Sequence, residues 1–423
     1  AHPACHTGEA VVYGTDKKID VTGGWHDAGD YGRYVVSGAK TVQDLFLTYE
    51  DNGYKADDIG IPESGNGVPD VLDEARFELD WLLKMQDANG GVYHKVTCDV
   101  FPETVMPEEE TAQLIACPIS NTATGDFAAV MAKASVLYKD YDADFAAKCL
   151  DASKKAYEYL SGNMDAYGFS NPDDIVTGEY PDTIFRDETI WAAVELYAAT
   201  GDASYKKAAD AIIEGSDIVN YGLGWADVGY YALYDYIKYD GGSAKANELF
   251  FNEVDKTVDQ IKDTAQGYID ALKMIKDNGF GVWVSPTKTF AWGSNMNIAN
   301  KGMLLLMANK LKPNADYVKY ASYQRDYLLG RNAVGYCYVT GYGTRTPLHP
   351  HHRPSQVLEV AMPGMLVGGA DSNLEDPYAK AVLLGKAPES RYADNAQSFS
   401  CNEVTIYWNS PMIYLMSGLG NTK

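Results

Sequence analysis

Two carboxylates three residues apart, set among glycines, are the first feature of this 423-residue sequence that could do chemistry. They are Asp27 and Asp30 in Gly23-Gly24-Trp25-His26-Asp27-Ala28-Gly29-Asp30-Tyr31-Gly32-Arg33-Tyr34. Glycine lets a backbone take dihedrals closed to other residues and lets a ligand come close, so the segment reads as a turn. Two neighbouring carboxylates can share the hydrogen bonds of one water and polarise it, as a general base must. The same spacing fits an Asp-Gly-rich surface turn or a calcium loop, and spacing alone leaves these open.

A third acid, Glu403, stands alone in an uncharged run from Asn395 to Gly420 and precedes Tyr407-Trp408-Asn409-Ser410-Pro411. Apolar and aromatic neighbours strip water from a carboxyl and raise its pKa, which a general acid at neutral pH requires. A carboxylate capping the next helix is the other reading. Between Arg345 and Arg353, three of the seven histidines and two arginines crowd nine residues. Such side chains donate hydrogen bonds to sugar hydroxyls or orient carboxylates. A metal cluster is the rival, although Pro347, Pro350 and Pro354 argue against a helix that presents the histidines on one face. Cys5, His6 and His26 are donors of the kind zinc takes.

The elements that must position these groups are mostly helices. Pro69 suits a first helical turn, and Leu72, Ala75, Leu79, Leu82 and Leu83 follow on one face. Similar periodicity predicts helices over Asp126–Tyr138, Asp144–Leu160, Glu188–Ala199, Ser204–Val219, Ser294–Leu311 and Tyr317–Leu329, the last closed by Gly330. Strand patterns are few, as at Val11–Tyr13 and Tyr336–Thr340. Long Gly-, Pro- and Asp-rich loops separate the helices, and such loops usually carry function. No Ser- or Pro-rich linker divides the chain, so residues 1–423 read as one all-α domain of helical hairpins.

Composition narrows the partners. Hydrophobic residues make up 46% and charged residues 22%, a globular balance that excludes collagenous or mainly disordered classes. With 35 basic against 59 acidic residues the net charge is −24, a surface that repels nucleic acid and suits neutral substrates and cations. No apolar run is long enough to span a membrane. The six cysteines are too scattered for a disulfide framework and leave the compartment open. The 32 Tyr and 7 Trp offer faces on which sugar rings stack, though most of these rings belong in the core.

Taken together, these segments resemble glycoside hydrolase family 9, the inverting cellulases and their relatives. The likeness runs along nearly the whole chain. It includes Ile61-Pro62, Asn66-Gly67-Val68-Pro69-Asp70-Val71-Leu72-Asp73-Glu74-Ala75, Gly90-Gly91-Val92-Tyr93-His94-Lys95, Thr122-Ala123-Thr124, Trp292-Gly293-Ser294-Asn295 and Leu329-Gly330-Arg331-Asn332. The resemblance implies an (α/α)6 barrel, six helical hairpins whose long loops form an open cleft for a β-1,4-glucan. It implies Asp30 as the base that activates water, Asp27 as its partner on that water, and Glu403 as the acid that protonates the departing oxygen. His351 and Arg353 match family positions that bind sugar beside the scissile bond. Tyr407, Trp292 and Trp225 are expected to contact substrate as well, and Asp394 lies in the same motif as Tyr407.

The Gly-Gly-Val-Tyr-His-Lys segment resembles a bacterial branch whose catalytic domain often follows an immunoglobulin-like domain. In that branch a structural zinc is held by a Cys-His pair, the His before the catalytic turn and an upstream Cys. Cys5, His6 and His26 match three of these, and the fourth would precede Ala1, so an N-terminally trimmed chain is expected. Arg186-Asp187-Glu188, with Asp227 farther on, resembles a calcium site of the family, although Thr183-Ile184 stands where a Ser-Gly pair is common. Acids at a helix start also need no ion. No organic cofactor is implied. The expected activity is endo-hydrolysis of β-1,4 bonds in cellulose or mixed-linkage β-glucan by a secreted or extracellular enzyme. Its substrates would be the polymer and cello-oligosaccharides, with neither nucleic acid nor membrane as a partner. Exo-action releasing cellobiose, and a non-catalytic glucan-binding module, are the alternatives.

Overall fold

The computed structural model describes residues 2–164, 168–215, 219–272, 280–284 and 290–420, with side chains to 265 in the third stretch. Helix accounts for 51% of the chain. Its contacts divide into two compact units, residues 1–27, 31–103 and 107–250 in the first and 28–30, 104–106 and 251–423 in the second.

The first unit begins with short strands: β1 (Glu9–Val12), β2 (Lys18–Asp20) and β3 (Arg33–Tyr34), the last running into α1 (Val35–Asn52) and then α2 (Asp70–Leu82). Next come β4 (Val92–Tyr93), β5 (Lys95–Thr97), β6 (Ile115–Ala116) and β7 (Ile119–Ser120). One sheet has the order β2-β1-β6-β5-β3, and β4 pairs with β7 in a second. In the larger sheet β1 and β6 are parallel and the other pairs antiparallel, with Arg33 opposite Val96 and Tyr34 opposite Lys95. The sheet therefore anchors the chain as it leaves the Asp27–Gly32 turn.

Helices α3 (Asn121–Leu137), α4 (Ala143–Gly162), α5 (Arg186–Thr200), α6 (Ala203–Gly215), α7 (Gly229–Asp240) and α8 (Ala244–Leu272) follow. Two kinds alternate. In α3 the residues from Asn121 to Ser135 are all buried, and α5 is buried from Asp187 to Leu196. Helices α4 and α6 bury one stripe each and turn Lys and Glu outward. A helix apolar all round belongs inside and an amphipathic one outside. Accordingly α3 packs against α1, α4 and α5, while α5 packs against α6 and α7. Several polar groups that the inner helices bury are paired: Lys133 Nζ with Asp235 at 2.7 Å and Glu50 at 3.1 Å, and Tyr231 Oη with Asp44 at 2.6 Å. Such pairing is required where water is excluded.

The second unit continues α8 and adds α9 (Ser294–Leu311), α10 (Ala315–Leu328), α11 (Arg353–Val357), α12 (Pro377–Leu383), α13 (Phe399–Asn402) and α14 (Ile406–Gly420). Helix α9 is the buried member and packs against α10 and α14.

Most helices read from periodicity are present within a few residues of the expected bounds. The stretch Ser204–Val219 is helical to Gly215, and residues 216–218 lie outside the described ones. Tyr336–Thr340 is not a strand. Val339 makes a single bridge to Leu366, flanked by Thr340 N to Met365 O at 2.9 Å and Val367 N to Tyr338 O at 3.0 Å. The ladder goes no further because Cys337 N and Tyr338 N donate elsewhere, to Arg345 O and Leu328 O.

Candidate active site

The Asp27 turn is built by conformation and by clamping. Gly23 and Gly24 have φ of 92° and 79°, in the left-handed region that favours glycine. Gly24 lies flat on Trp81, where a Cβ would come within 2.6 Å of the indole. Trp25 donates its backbone N–H to Glu78 at 2.7 Å and its indole N–H to Glu74 at 2.9 Å. Arg33 Nη1 donates to the carbonyls of Val21 and Gly23. Asp27 N donates to Gly32 O at 2.9 Å and closes the turn.

Asp27 is 2% exposed, and both its oxygens accept hydrogen bonds, Oδ1 from Ser37 and Oδ2 from Tyr180, each at 2.5 Å. Sequence reasoning missed Tyr180. Its φ of 49° is unusual for an aromatic residue and is imposed by its surroundings. The ring packs on Tyr34 and edge-on against Trp225, with centroids at 4.7 and 4.9 Å. The loop before it is pinned by Lys95, whose Nζ donates to Gly178 O at 2.6 Å. Trp225 is thus half-buried beside Tyr180.

In the second unit Asp30 is 8% exposed, and the preceding Gly29 sits on the His351–Arg353 segment. Gly29 O accepts from Arg353 N at 3.2 Å and Nη1 at 2.9 Å. A Cβ on Gly29 would come within 2.4 Å of His351 O, so no larger residue fits. The same His351 backbone bridges to Glu403, and His351 N donates to Asn402 O at 2.7 Å. Glu403 is half-buried, and Trp292 donates its indole N–H to Glu403 Oε2 at 3.0 Å. Trp292 leans on Phe399 at 5.0 Å and gives its backbone N–H to Glu375 at 2.8 Å.

His351 pairs Nδ1 with Ala396 O at 2.6 Å, and a carbonyl only accepts, so Nδ1 carries the proton. Burial holds its pKa below the ordinary value, and the neutral ring then keeps a lone pair on Nε2. Burial lowers His352 to about 4, and its Nδ1 faces Ser355. Among the described residues the three clustered histidines form no metal-ligand group. Asp394 ties the segments together, accepting from Leu348 N and His349 N at 2.9 Å each and from Asn402 Nδ2 at 3.0 Å. Tyr407 is 7% exposed and packs on Trp408 at 6.0 Å.

Three acid or thiol clusters could hold a cation. The ligand atoms of Cys5, His6 and His26 lie within 4.8 Å of one another, with His6 Nδ1 at 3.1 Å from His26 Nε2. His6 Nε2 meets Glu110 Oε2 at 3.1 Å, both side chains about 5% exposed. A carboxylate behind a ligand imidazole fixes which nitrogen faces the metal, so the donor set fits zinc. Asp187 and Glu188 open α5 fully buried, and Asp187 Oδ1 and both Glu188 oxygens lack a partner. Both oxygens of buried Asp126 are in the same position. Burial pushes Asp187 up to about 8 and Asp182 to about 6, and a cation would relieve that cost. These residues fit calcium, and Asp227, expected to close the shell, is exposed and its charge acts on Asp182. Sequence reasoning did not single out Asp126, or the close carboxylates of Asp57, Asp70 and Asp73.

Comparison with known proteins completes the picture. The family model for glycosyl hydrolase family 9 matches residues 1–416. A cellodextrinase of Butyrivibrio fibrisolvens is 37% identical over 445 residues, covering 99% of this chain and 78% of that protein. Endoglucanase D of Acetivibrio thermocellus is 33% identical over 432 residues, and the chain spans only 65% of that protein's length. The crystal structure of a single mutant of a thermostable endoglucanase from Alicyclobacillus acidocaldarius matches with a TM-score of 0.90 at 38% identity, over 99% of this chain and 78% of that one. The fold is the family's (α/α)6 barrel. The chain belongs to glycosyl hydrolase family 9 and is a glycoside hydrolase.

Proposed function

We propose that this chain hydrolyses internal β-1,4-glucosidic bonds of cellulose or mixed-linkage β-glucan, outside the cell, with inversion at the anomeric carbon. The observation that carries the reading is the backbone frame of the second unit, in which one segment, His351–Arg353, supports both the peptide before Asp30 and the strand bridge to Glu403. Relatives named cellodextrinase and endoglucanase support the substrate class.

Asp30 takes a proton from water as the water oxygen bonds to the anomeric carbon, on the face opposite the departing sugar. The bond from that carbon to the bridging oxygen breaks, and Glu403 gives its proton to the bridging oxygen. Asp27, held by Ser37 and Tyr180, orients the water. The water must fit between carboxylate and sugar, so acid and base should stand roughly 6.5–9.5 Å apart. His351, through its Nε2 lone pair, and Arg353 engage sugar hydroxyls, while Trp292, Trp225 and Tyr407 contact the rings. Zinc at Cys5, His6 and His26 would brace the segment ahead of Asp27, and calcium at Asp187 and Glu188, with Asp227 closing the shell, would neutralise buried carboxylates. Neither activates water.

On carboxymethylcellulose, viscosity should collapse while few reducing ends have formed. Viscosity that falls only in proportion to reducing ends would replace this reading with exo-action. Glu403→Gln should lose about 10²–10⁴-fold in turnover and still bind cello-oligosaccharides.

A further inference from the structure

One face of α2 carries three side chains that end on the segment Gly23–Trp25. Glu74, Glu78 and Trp81 are spaced i, i+4 and i+7 and so share that face. Glu74 is exposed and Trp81 packs as an apolar wall beneath Gly24. Glu78 is different. It is 1% exposed, with Oε2 on Trp25 N at 2.7 Å and Oε1 against Gly38 of α1, where a Cβ would come within 2.3 Å. The pocket therefore fits a carboxyl and excludes a larger neighbour.

Burying that carboxyl is unfavourable, and burial pushes its pKa up to about 8. An apolar residue would pack at lower cost, but it would leave Trp25 N–H in the interior without an acceptor. The charges around Glu78 include Arg33, which grips Gly23 O at 2.7 Å, and Asp27. Carboxyl, guanidinium and indole wall together fix how the chain enters the Asp27–Asp30 turn.

We propose that Glu78 is a positioning residue for hydrolysis, which sets the aim of the Asp27–Asp30 turn by accepting the Trp25 backbone N–H. This rests on the reading of Asp27 and Asp30 as the groups that hold and activate water. Glu78 is buried and acts through the Trp25 backbone, two residues upstream of Asp27.

The test is steady-state hydrolysis of cellohexaose by three variants alongside the parent and Asp30→Asn. Glu78→Leu removes the acceptor, and kcat should fall at least about 10-fold, toward the 10²-fold that an ångström of misplacement costs, with KM within about threefold. Glu78→Gln keeps an oxygen for Trp25 N–H and should return kcat to within about threefold of the parent. Gly38→Ala adds helix propensity to α1 but overpacks Glu78 Oε1, so kcat should drop at least about 10-fold while the melting temperature falls by no more than about a few degrees. That variant decides the matter if Glu78→Leu does not fold. Unchanged kcat in Glu78→Leu or in Gly38→Ala, or Glu78→Gln as damaged as Glu78→Leu, overturns the role of Glu78. An inactive parent, or an active Asp30→Asn, would instead overturn the function proposed above.

Discussion

Gly29→Ala is the smallest change that should separate base from acid while leaving both carboxyls in place. The added Cβ would stand 2.4 Å from His351 O and 3.0 Å from its Cδ2. A carbon and a carbonyl oxygen need about 3.0–3.4 Å in a close-packed interior, so the two backbones must part by roughly 0.6–1.0 Å. His351 cannot yield freely, because its N–H bonds Asn402 O at 2.7 Å and its ring bonds Ala396 O at 2.6 Å. The turn before Asp30 must move, weakening both bonds from Arg353 to Gly29 O. Displacement of about an ångström costs up to 10² in rate, so kcat on cellohexaose should fall about 10- to 100-fold, with KM changed less than about threefold. The control is Gly8→Ala, where a Cβ meets nothing within 4 Å. A Gly29→Ala enzyme with kcat within threefold of the parent, and melting like it, would refute the claim that this contact sets the geometry.

Tyr180→Phe removes one of the two donors to Asp27, and a bond to a charged acceptor is worth about 1.5–3 kcal/mol, so kcat should fall about 10- to 100-fold. Equal kcat would show that Asp27 does not depend on that donor. Glu78 titrates near 8 in the folded state against an ordinary 4.5, so the folded protein holds the proton more tightly and stability falls as pH rises between those values. Glu78→Gln has no such loss, and its stability relative to the parent should be about 2 kcal/mol greater at pH 8 than at pH 6; parallel curves by denaturant melts would contradict this. Glu110→Gln should weaken zinc binding about 10- to 100-fold by competitive chelator titration, because Glu110 orients His6, and unchanged affinity would remove it from the site.

The parts of the site legible in the sequence were those where residue type and spacing carry the chemistry. Asp27 and Asp30 stood among glycines, Glu403 in an uncharged run, and Cys5, His6 and His26 were soft donors near one terminus. Periodicity found the amphipathic α2, α4 and α6, whose outward faces are marked by charge. It also found the buried α3, α5 and α9, whose apolar stretches are of helical length, but not the long amphipathic α8. It passed over α1, where buried Lys40 and Asp44 interrupt the apolar pattern, and α14, where Pro411 lies inside the helix. Tyr180 was hidden because its task depends on a positive φ, which no local residue signals. Glu78 was hidden for the opposite reason: a glutamate on an amphipathic helix reads as solvent-facing, and only the fold closes Gly38 over it. Asp126 likewise reads as a helix-start acid until Asp187 and Glu188 arrive beside it.

The central claim is that Asp30 activates water and forms no ester with the sugar, and the configuration of the first product tests it most directly. Proton NMR of a fresh cellohexaose digest, followed from the first minutes, should show the α-anomer of the new reducing end before mutarotation mixes the signals. Asp30→Asn should give no product under the same conditions. If the β-anomer appears first, the enzyme retains configuration, a carboxylate has bonded to the anomeric carbon, and the role assigned to Asp30 is wrong.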